Sequence, residues 1–422
     1  MKQIFTVALL GVVLFASGVN AQVPVAEWEE FKAQFAAMSE RVKALEAENA
    51  QLRQASRNTI KVEDLAATNA ELDTLKERTT ASSWADRVAW EGDYRFRYET
   101  IDQQGRDDRD RYRIRARPAL VATVSDTTVV GFGLATGSDD PVSSNQTLGE
   151  GGKSKDINLD LAYATWTGLP GTAITAGKFA NPYYTVQKSQ LLFDSDFRPE
   201  GVAVNWANEM FFAHTSFNFI ESDSSQSGKD DYGVWAAQLG TVLTPVEDTK
   251  LTLSAGYVNI PTKGEAAIYD EDFFGNSSVT VDGEDVYEYD YKLVTASVDL
   301  GLSVFDLPLN FYADYVQNQD VDDQEMGYMA GVKLGSAKKK GNWQVQYEYE
   351  RLEANATLGV ITNSDFAGGG TNGKGSTFSA KYAIDDRWYV AGTYFFDNKR
   401  GFETPGDDAN YDRIQLDTGF SY

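Results

Sequence analysis

The 422-residue chain has no cysteine and a single histidine, His214. Without cysteine there is no disulfide framework, thiol nucleophile or thiolate metal site, and one histidine excludes a multi-histidine metal centre. Positive charge is also scarce: 38 lysines and arginines stand against 63 aspartates and glutamates, a formal charge of −25. Nucleic-acid backbones are bound by an excess of basic groups, so no nucleic-acid partner is expected. Long apolar runs are missing beyond the extreme N-terminus, and no helical transmembrane span is visible there. One kind of membrane protein survives that last absence. Strands that alternate apolar and polar residues hide their hydrophobicity from any average.

Residues 1–21 read as a cleaved signal peptide, with Lys2 as the positive start, an apolar stretch from Ile4 to Phe15, and Val19-Asn20-Ala21 as a small-residue cleavage pattern. A membrane anchor is the alternative, but the apolar run is shorter than the ~20 residues needed to span. Residues 22–80 are expected to form an α-helical coiled-coil stalk. Trp28, Phe31, Phe35, Met38, Val42, Leu45, Asn49 and Leu52 are spaced alternately by three and four, which makes one helical stripe in need of a partner. Charged neighbours such as Glu29, Lys32, Glu40 and Lys43 flank it as a solvated coiled-coil surface requires. Asn49 in the seam is of the type that specifies register. A weaker set, Val62, Leu65, Asn69 and Leu72, follows out of phase. The competing reading is a helix that folds back on its own domain.

From residue 86 to 422 the periodicity changes to two, in sixteen short segments. They span 88–101, 108–124, 129–136, 156–167, 173–181, 200–208, 210–221, 231–244, 249–260, 288–304, 309–319, 325–337, 342–356, 375–384, 387–397 and 411–422. Short connections alternate with long ones, and both ends fall on the short-turn side. This is the pattern of an all-β fold, a 16-stranded antiparallel transmembrane β-barrel. In the first segment Trp90, Tyr94, Phe96 and Tyr98 share one face, and Glu91, Asp93, Arg95, Arg97 and Glu99 the other. In the last, Ile414, Leu416, Phe420 and Tyr422 oppose Arg413, Gln415 and Asp417. Trp90, Trp206, Trp343 and Trp388 lie near short-turn ends on the apolar parity, as an interfacial girdle would. Two places resist the pattern: Trp166 breaks parity, and 288–304 changes phase near Thr295. A large soluble β-sandwich is the alternative, but it gives no reason for an aromatic last residue on an alternating strand.

Several stretches resemble the putative porins of Gram-negative outer membranes. They are Gly92-Asp93-Tyr94-Arg95-Phe96-Arg97-Tyr98, the run 111–118, Leu134-Ala135-Thr136-Gly137-Ser138-Asp139-Asp140-Pro141, Ser144-Asn145-Gln146-Thr147-Leu148-Gly149, and Lys188-Ser189-Gln190 through Pro199-Glu200-Gly201. The similarity is densest over 90–205. It implies a water-filled homotrimeric channel in the bacterial outer membrane, with the N-terminal stalk in the periplasm. Phe420 and Tyr422 look like the C-terminal signal read by the barrel-assembly machinery. The resemblance names no solute.

Arg95, Arg97, Arg111, Arg113, Arg115 and Arg117 fall on the interior parity of two adjacent strands and would form a basic wall. The connection 182–199 carries Tyr183, Tyr184, Val186, Leu191, Leu192 and Phe193, too apolar for an exposed loop, so it is expected to fold into the barrel. By similarity to general porins, Asp194, Asp196 and Glu200 would face the arginine wall across the constriction. Alternatively Glu91, Asp93 and Glu99 on the neighbouring strand satisfy the arginines, which then brace the wall and select nothing. His214 shares a predicted interior face with Ser216 and Asn218 and is read as an interior polar residue; catalysis is not expected. No metal or cofactor is expected either. The acidic clusters 270–272, 282–290, 320–325 and 407–408 read as solvated outer loops near divalent cations and lipopolysaccharide, and the glycines 368–370 and 373 as loop flexibility.

These features point to passive diffusion of small hydrophilic solutes and ions. Two other functions fit the same residues: an anion-selective channel for phosphate or carboxylates, and a structural barrel whose stalk tethers the envelope.

Overall fold

The structure is a computed structural model that describes residues 33, 36, 37, 39–51 and 84–422, apart from 223–230, 405 and 407. The chain divides into two units, Met1–Ser83 and Trp84–Tyr422. In the first, 39–51 is helical with Val42 and Leu45 exposed. The signal peptide and most of the expected coiled-coil seam, from Trp28 to Met38 and from Leu52 onward, lie outside the described residues.

The second unit contains all sixteen expected strands. They are β1 (Val88–Gln103), β2 (Arg109–Ser125), β3 (Thr128–Thr136), β4 (Ile157–Leu169), β5 (Thr172–Lys178), β6 (Glu200–Ala207), β7 (Phe211–Glu221), β8 (Tyr232–Leu243), β9 (Lys250–Ile260), β10 (Tyr291–Val304), β11 (Leu307–Asn318), β12 (Met326–Gly335), β13 (Trp343–Leu352), β14 (Gly373–Asp385), β15 (Trp388–Arg400) and β16 (Ala409–Ser421). Each pairs antiparallel with the next, and β16 pairs with β1 to close the barrel. The strip Gln146–Thr147 adds two residues beside β2. Closure reaches the last residue, since Gly92 and Tyr422 exchange both backbone hydrogen bonds at 3.1 Å. A sheet with no free edge is what a strand protein needs in lipid, where unpaired backbone groups cost several kcal/mol each.

Side chains alternate as the period of two requires. Trp90, Phe132, Trp206, Leu239, Phe311 and Leu416 are among the exposed outward residues. At the short-turn rim Trp90 stacks on Tyr422 and Trp388 on Phe420. The parity break at Trp166 has a local cause. The pairing of β3 with β4 skips Asp160, a bulge that flips the face of every later residue of β4 and turns Trp166 outward.

The phase change in 288–304 has a different cause. β10 pairs with both neighbours without any register shift. Tyr291, Leu293 and Thr295 all face inward, and the inner wall is apolar there because loops cover it. Loop 3 (179–199) brings Tyr183, Val186, Leu191, Leu192 and Phe193 against it. Loop 7 (353–372) adds Leu358, Val360 and Ile361, and the wall supplies Val258, Ile260, Leu293, Val316, Met329 and Leu352. Loop 7 in-folding is absent from the sequence expectations. Each fully buried apolar side chain contributes about 1.5–3 kcal/mol to holding the loops down.

Hydrogen bonds tie the loops to one another. Asp194 donates its backbone N–H to the Ile361 carbonyl at 2.8 Å, joining loop 3 to loop 7. Asn276 of loop 5 (261–290) donates its side-chain amide to the Ala354 and Thr357 carbonyls at 2.7 and 2.8 Å and accepts from Gly359 N at 2.8 Å. The glycine run expected to confer flexibility instead lets loop 7 pack. Gly368 and Gly370 have φ of +88° and +82°, and a Cβ on Gly370 would sit 2.2 Å from the Phe274 carbonyl oxygen.

Leu358 is fully buried in this loop core. Leu358→Asp should release loops 3 and 7 and raise single-channel conductance, while the heat-modifiable gel mobility of the folded barrel persists. Wild-type conductance from the variant would refute the loop core as the restriction.

Candidate functional site

Strand register places the arginines. Across β1 and β2, Asp93 pairs with Arg117, Arg95 with Arg115, Arg97 with Arg113 and Glu99 with Arg111. Closure then sets β16 on the other side of β1, with Arg97 opposite Asp417 and Glu99 opposite Gln415. All of these side chains have the inward parity, so like charges face each other unless carboxylates intervene.

Carboxylates do intervene. Arg97 makes a bidentate pair with Asp417, at 2.7 and 2.9 Å, and donates to Asp365 of loop 7 at 2.9 Å. Asp93 accepts from Arg117 at 2.6 and 2.8 Å and from Arg115 at 3.2 Å. Asp196 of loop 3 accepts from Arg117 at 2.7 Å and Arg115 at 3.3 Å, with Ser144 Oγ donating to its other oxygen at 2.8 Å. Glu99 is fully buried and serves three arginines: Arg111 at 2.5 Å, Arg113 at 3.5 Å, and Arg413. Arg95 donates to Asn145 at 2.6 Å and has no carboxylate within ion-pair distance among the described residues.

The two loop 3 aspartates are in opposite electrostatic situations. Burial alone would raise the Asp196 carboxyl, but Arg115 and Arg117 hold it down at about 2. Asp194 is pushed up to about 7 by burial and then by the Asp196 charge, against the pull of two backbone donors. Those donors are Asp196 N at 2.7 Å and Ser364 N at 3.0 Å, so Asp194 joins loop 3 to loop 7. Asp365 is also opposed by burial, yet Arg413 and Arg97 keep it well below the usual carboxylate range.

The structure brings the six arginines together with Asp194 and Asp196, while Glu200 pairs with none of these arginines and borders a cavity that Asp196 also lines. Glu200 shares the outward parity of Val202 and Trp206, and its side chain is 60% exposed and paired with Lys178 at 2.5 Å. Asp93 and Glu99 satisfy arginines in the way the bracing alternative supposed; Glu91 makes no such pair among the described residues. His214 is buried beneath loop 3, between Asn205 at 2.8 Å and Ser216 at 3.2 Å, with the Tyr183 ring edge-on.

Three charged members escaped the sequence reading of the site: Asp365, Arg413 and Asp417. Arg413 and Asp417 are legible as interior-parity charges on the last strand, and only closure puts them beside β1. Asp365 follows Leu358, Val360 and Ile361, the same apolar-loop signal that marks 182–199.

A cavity of about 520 Å³ is lined by Asp140, Ser144, Asp196 and Glu200, and two more flank the cluster, both lined by Ser364 and Asp365. One, of about 380 Å³, is bordered by Arg95, Arg115, Lys188, Lys333, Lys381 and Glu350. The other, of about 310 Å³, lies toward the long-loop end among Arg109, Arg111, Arg113, Arg400 and Arg413. Among the described residues no group of three or more histidine, cysteine or acidic side chains could hold a metal ion.

The sequence pattern of the putative porin family matches residues 101–272 and 264–417, more than half of the chain. The chain belongs to the putative porin family. No curated protein matches this porin. Among solved structures, the high-pH structure of Pseudomonas putida OprB is similar at 11% identity and a TM-score of 0.53, covering 81% of this porin and 96% of that chain. A Vibrio cholerae OmpT with loop L8 deleted matches at 14% identity, TM-score 0.47, covering 80% of this chain and all of its own. A triple mutant of Rhodopseudomonas blastica porin matches at 11% and 0.47, covering 79% and 100%. The OprB likeness is one of fold. Family and fold support an outer-membrane barrel that acts as a channel rather than an enzyme.

Two predictions follow from the charges. The folded Asp194 carboxyl titrates above its ordinary value, so its contribution to the loop junction is complete at acidic pH and is lost as pH rises through about 7. Amide exchange of loop 3 and loop 7 peptides, corrected for intrinsic rate, should therefore speed up across that window in the wild type and vary less in Asp194→Asn; a flat wild-type profile would contradict this. Asp365→Asn removes the counter-charge shared by Arg97 and Arg413, and the reversal potential in a salt gradient should move toward anion preference.

Proposed function

We propose that this protein is an outer-membrane porin, a water-filled channel for passive diffusion of small hydrophilic solutes and ions. One observation carries the reading: the apolar loop core packs against the β8–β13 wall but leaves two polar cavities open, one lined from β1, β2 and β12–β16 and the other from β1, β2, β15 and β16. Solutes are sieved by size where loops 3 and 7 meet the arginine wall. They are sieved by charge through Arg95, Arg97, Arg111, Arg113, Arg115 and Arg117, set against Asp194, Asp196 and Asp365. At an effective dielectric of ~20, a unit charge 4 Å away is worth about 4 kcal/mol, enough to sort ions by sign at a narrow point. The net charge of the chain does not by itself set that preference, because screening over ~8–10 Å limits what any distant loop charge does at the constriction.

The assembly is a homotrimer with the N-terminal stalk in the periplasm, and the exposed stripe of Val42 and Leu45 supports a helical partner for that stalk. Phe420 and Tyr422, outward-facing at the end of β16, suit recognition by the barrel-assembly machinery.

Purified mature protein in a planar bilayer should insert stepwise with ohmic conductance, and Arg113→Glu should shift the reversal potential toward cations. Silence from a folded barrel would overturn the channel reading. An unchanged reversal potential in Arg113→Glu would remove Arg113 from the conduction path.

A further inference from the structure

The cavity at the long-loop end has a charge balance that the ion-pair network does not close. Arg106 and Arg109 border it from the β1–β2 connection and the start of β2, Arg111 and Arg113 from further along β2, Arg400 from the end of β15 and Arg413 from β16. The carboxylates in the same wall are Asp107, Asp140 and Asp365. Asp365 is already shared between Arg97 at 2.9 Å and Arg413 at 2.8 Å. Asp140 accepts the Val142 N–H at 2.9 Å, and Glu99 behind the wall is divided among three arginines. Arg106, Arg109 and Arg400 have no ion pair among the described residues. The Nε groups of Arg111 and Arg113 are buried without an acceptor, an arrangement folded proteins avoid because each such donor loses its water unrepaid.

Resting on the channel reading above, we propose that this cavity is a binding site for a small multivalent oxyanion, the class that includes inorganic phosphate and short dicarboxylates. Guanidinium forks match pairs of anionic oxygens, so a ligand with two or more such oxygens engages several arginines at once, which chloride cannot do. The volume of about 310 Å³ holds such an ion with part of its hydration shell, given a share of ~30 Å³ per water. The site lies on the route into the constriction and concentrates its anion there. Arg95, with no ion pair among the described residues, borders the other cavity.

The test adds phosphate, or separately succinate, to the long-loop side of open channels carrying current in potassium chloride. Either anion should reduce the current saturably, and Arg109→Gln with Arg400→Gln should raise the half-blocking concentration about tenfold or more, each tenfold being one 1.4 kcal/mol step. Lys340→Gln, at the short-turn rim and paired with Asp385, serves as control and should leave the block unchanged. Block by phosphate alone or succinate alone supports the site and assigns the oxygen geometry it takes. Channels that conduct chloride with no saturable effect of either anion, or block indifferent to the paired arginine substitutions, overturn the proposal and leave the channel reading intact. Isothermal titration of the same anions into the folded, detergent-solubilised barrel reads the site without conductance. Heat of binding lost in the arginine variant, from a barrel that does not conduct, would keep the site and reject the channel.

Discussion

Closure of the sheet between β1 and β16 is the constraint on which the rest depends. A strand protein in lipid has no water to satisfy its edge groups, so the barrel is complete or it is not stable. Closing it also brings the first and last strands together, and with them Arg97 and Asp417, residues 320 apart in sequence that form the best-aligned ion pair of the lumen. The charge cluster of β1, β2 and β16 is thus a product of closure, and Tyr422 hydrogen-bonded to Gly92 is its final link.

A sixteen-stranded barrel encloses more space than its own inward side chains fill, and this chain fills the two sides differently. Against β8–β13, loops 3, 5 and 7 supply an apolar core of the kind found inside soluble domains. Against β1, β2 and β14–β16 the inner wall stays largely charged: Asp196 and Asp365 reach it from loops 3 and 7, and Phe366 and Ala367 of loop 7 pack on Phe395 of β15. The apolar half therefore acts as the rigid support that holds two carboxylates in place against a row of arginines. Asp194 links the two loops at the boundary, where backbone donors and no cation offset only part of its burial.

The arginines divide into those held in carboxylate pairs of their own and those with no ion pair among the described residues. Arg97, Arg115 and Arg117 belong to the first group. Arg95, Arg106, Arg109 and Arg400 belong to the second, and Arg111 and Arg113 share one carboxylate with Arg413.

Strand number, strand limits to within a few residues, and the inward or outward parity of Arg95 or Trp90 were legible in the sequence, because a period of two is a local property of each segment. The in-folding of loop 3 was legible too, since an apolar loop has nowhere else to go. Glu200 begins its strand on the outward parity and pairs with Lys178, which proximity to Asp196 in sequence does not reveal. The phase change near Thr295 looked like a register fault because an inward wall covered by loops is as apolar as an outward one. What the sequence by itself determined is the barrel and the face of the strand residues wherever no bulge interrupts the period of two, as one does before Trp166. Which arginines are neutralised, by Asp93, Asp196, Asp365 or Asp417, was decided only by tertiary structure. Ion pairing depends on distances that closure and loop packing set across hundreds of residues, and no local pattern encodes them.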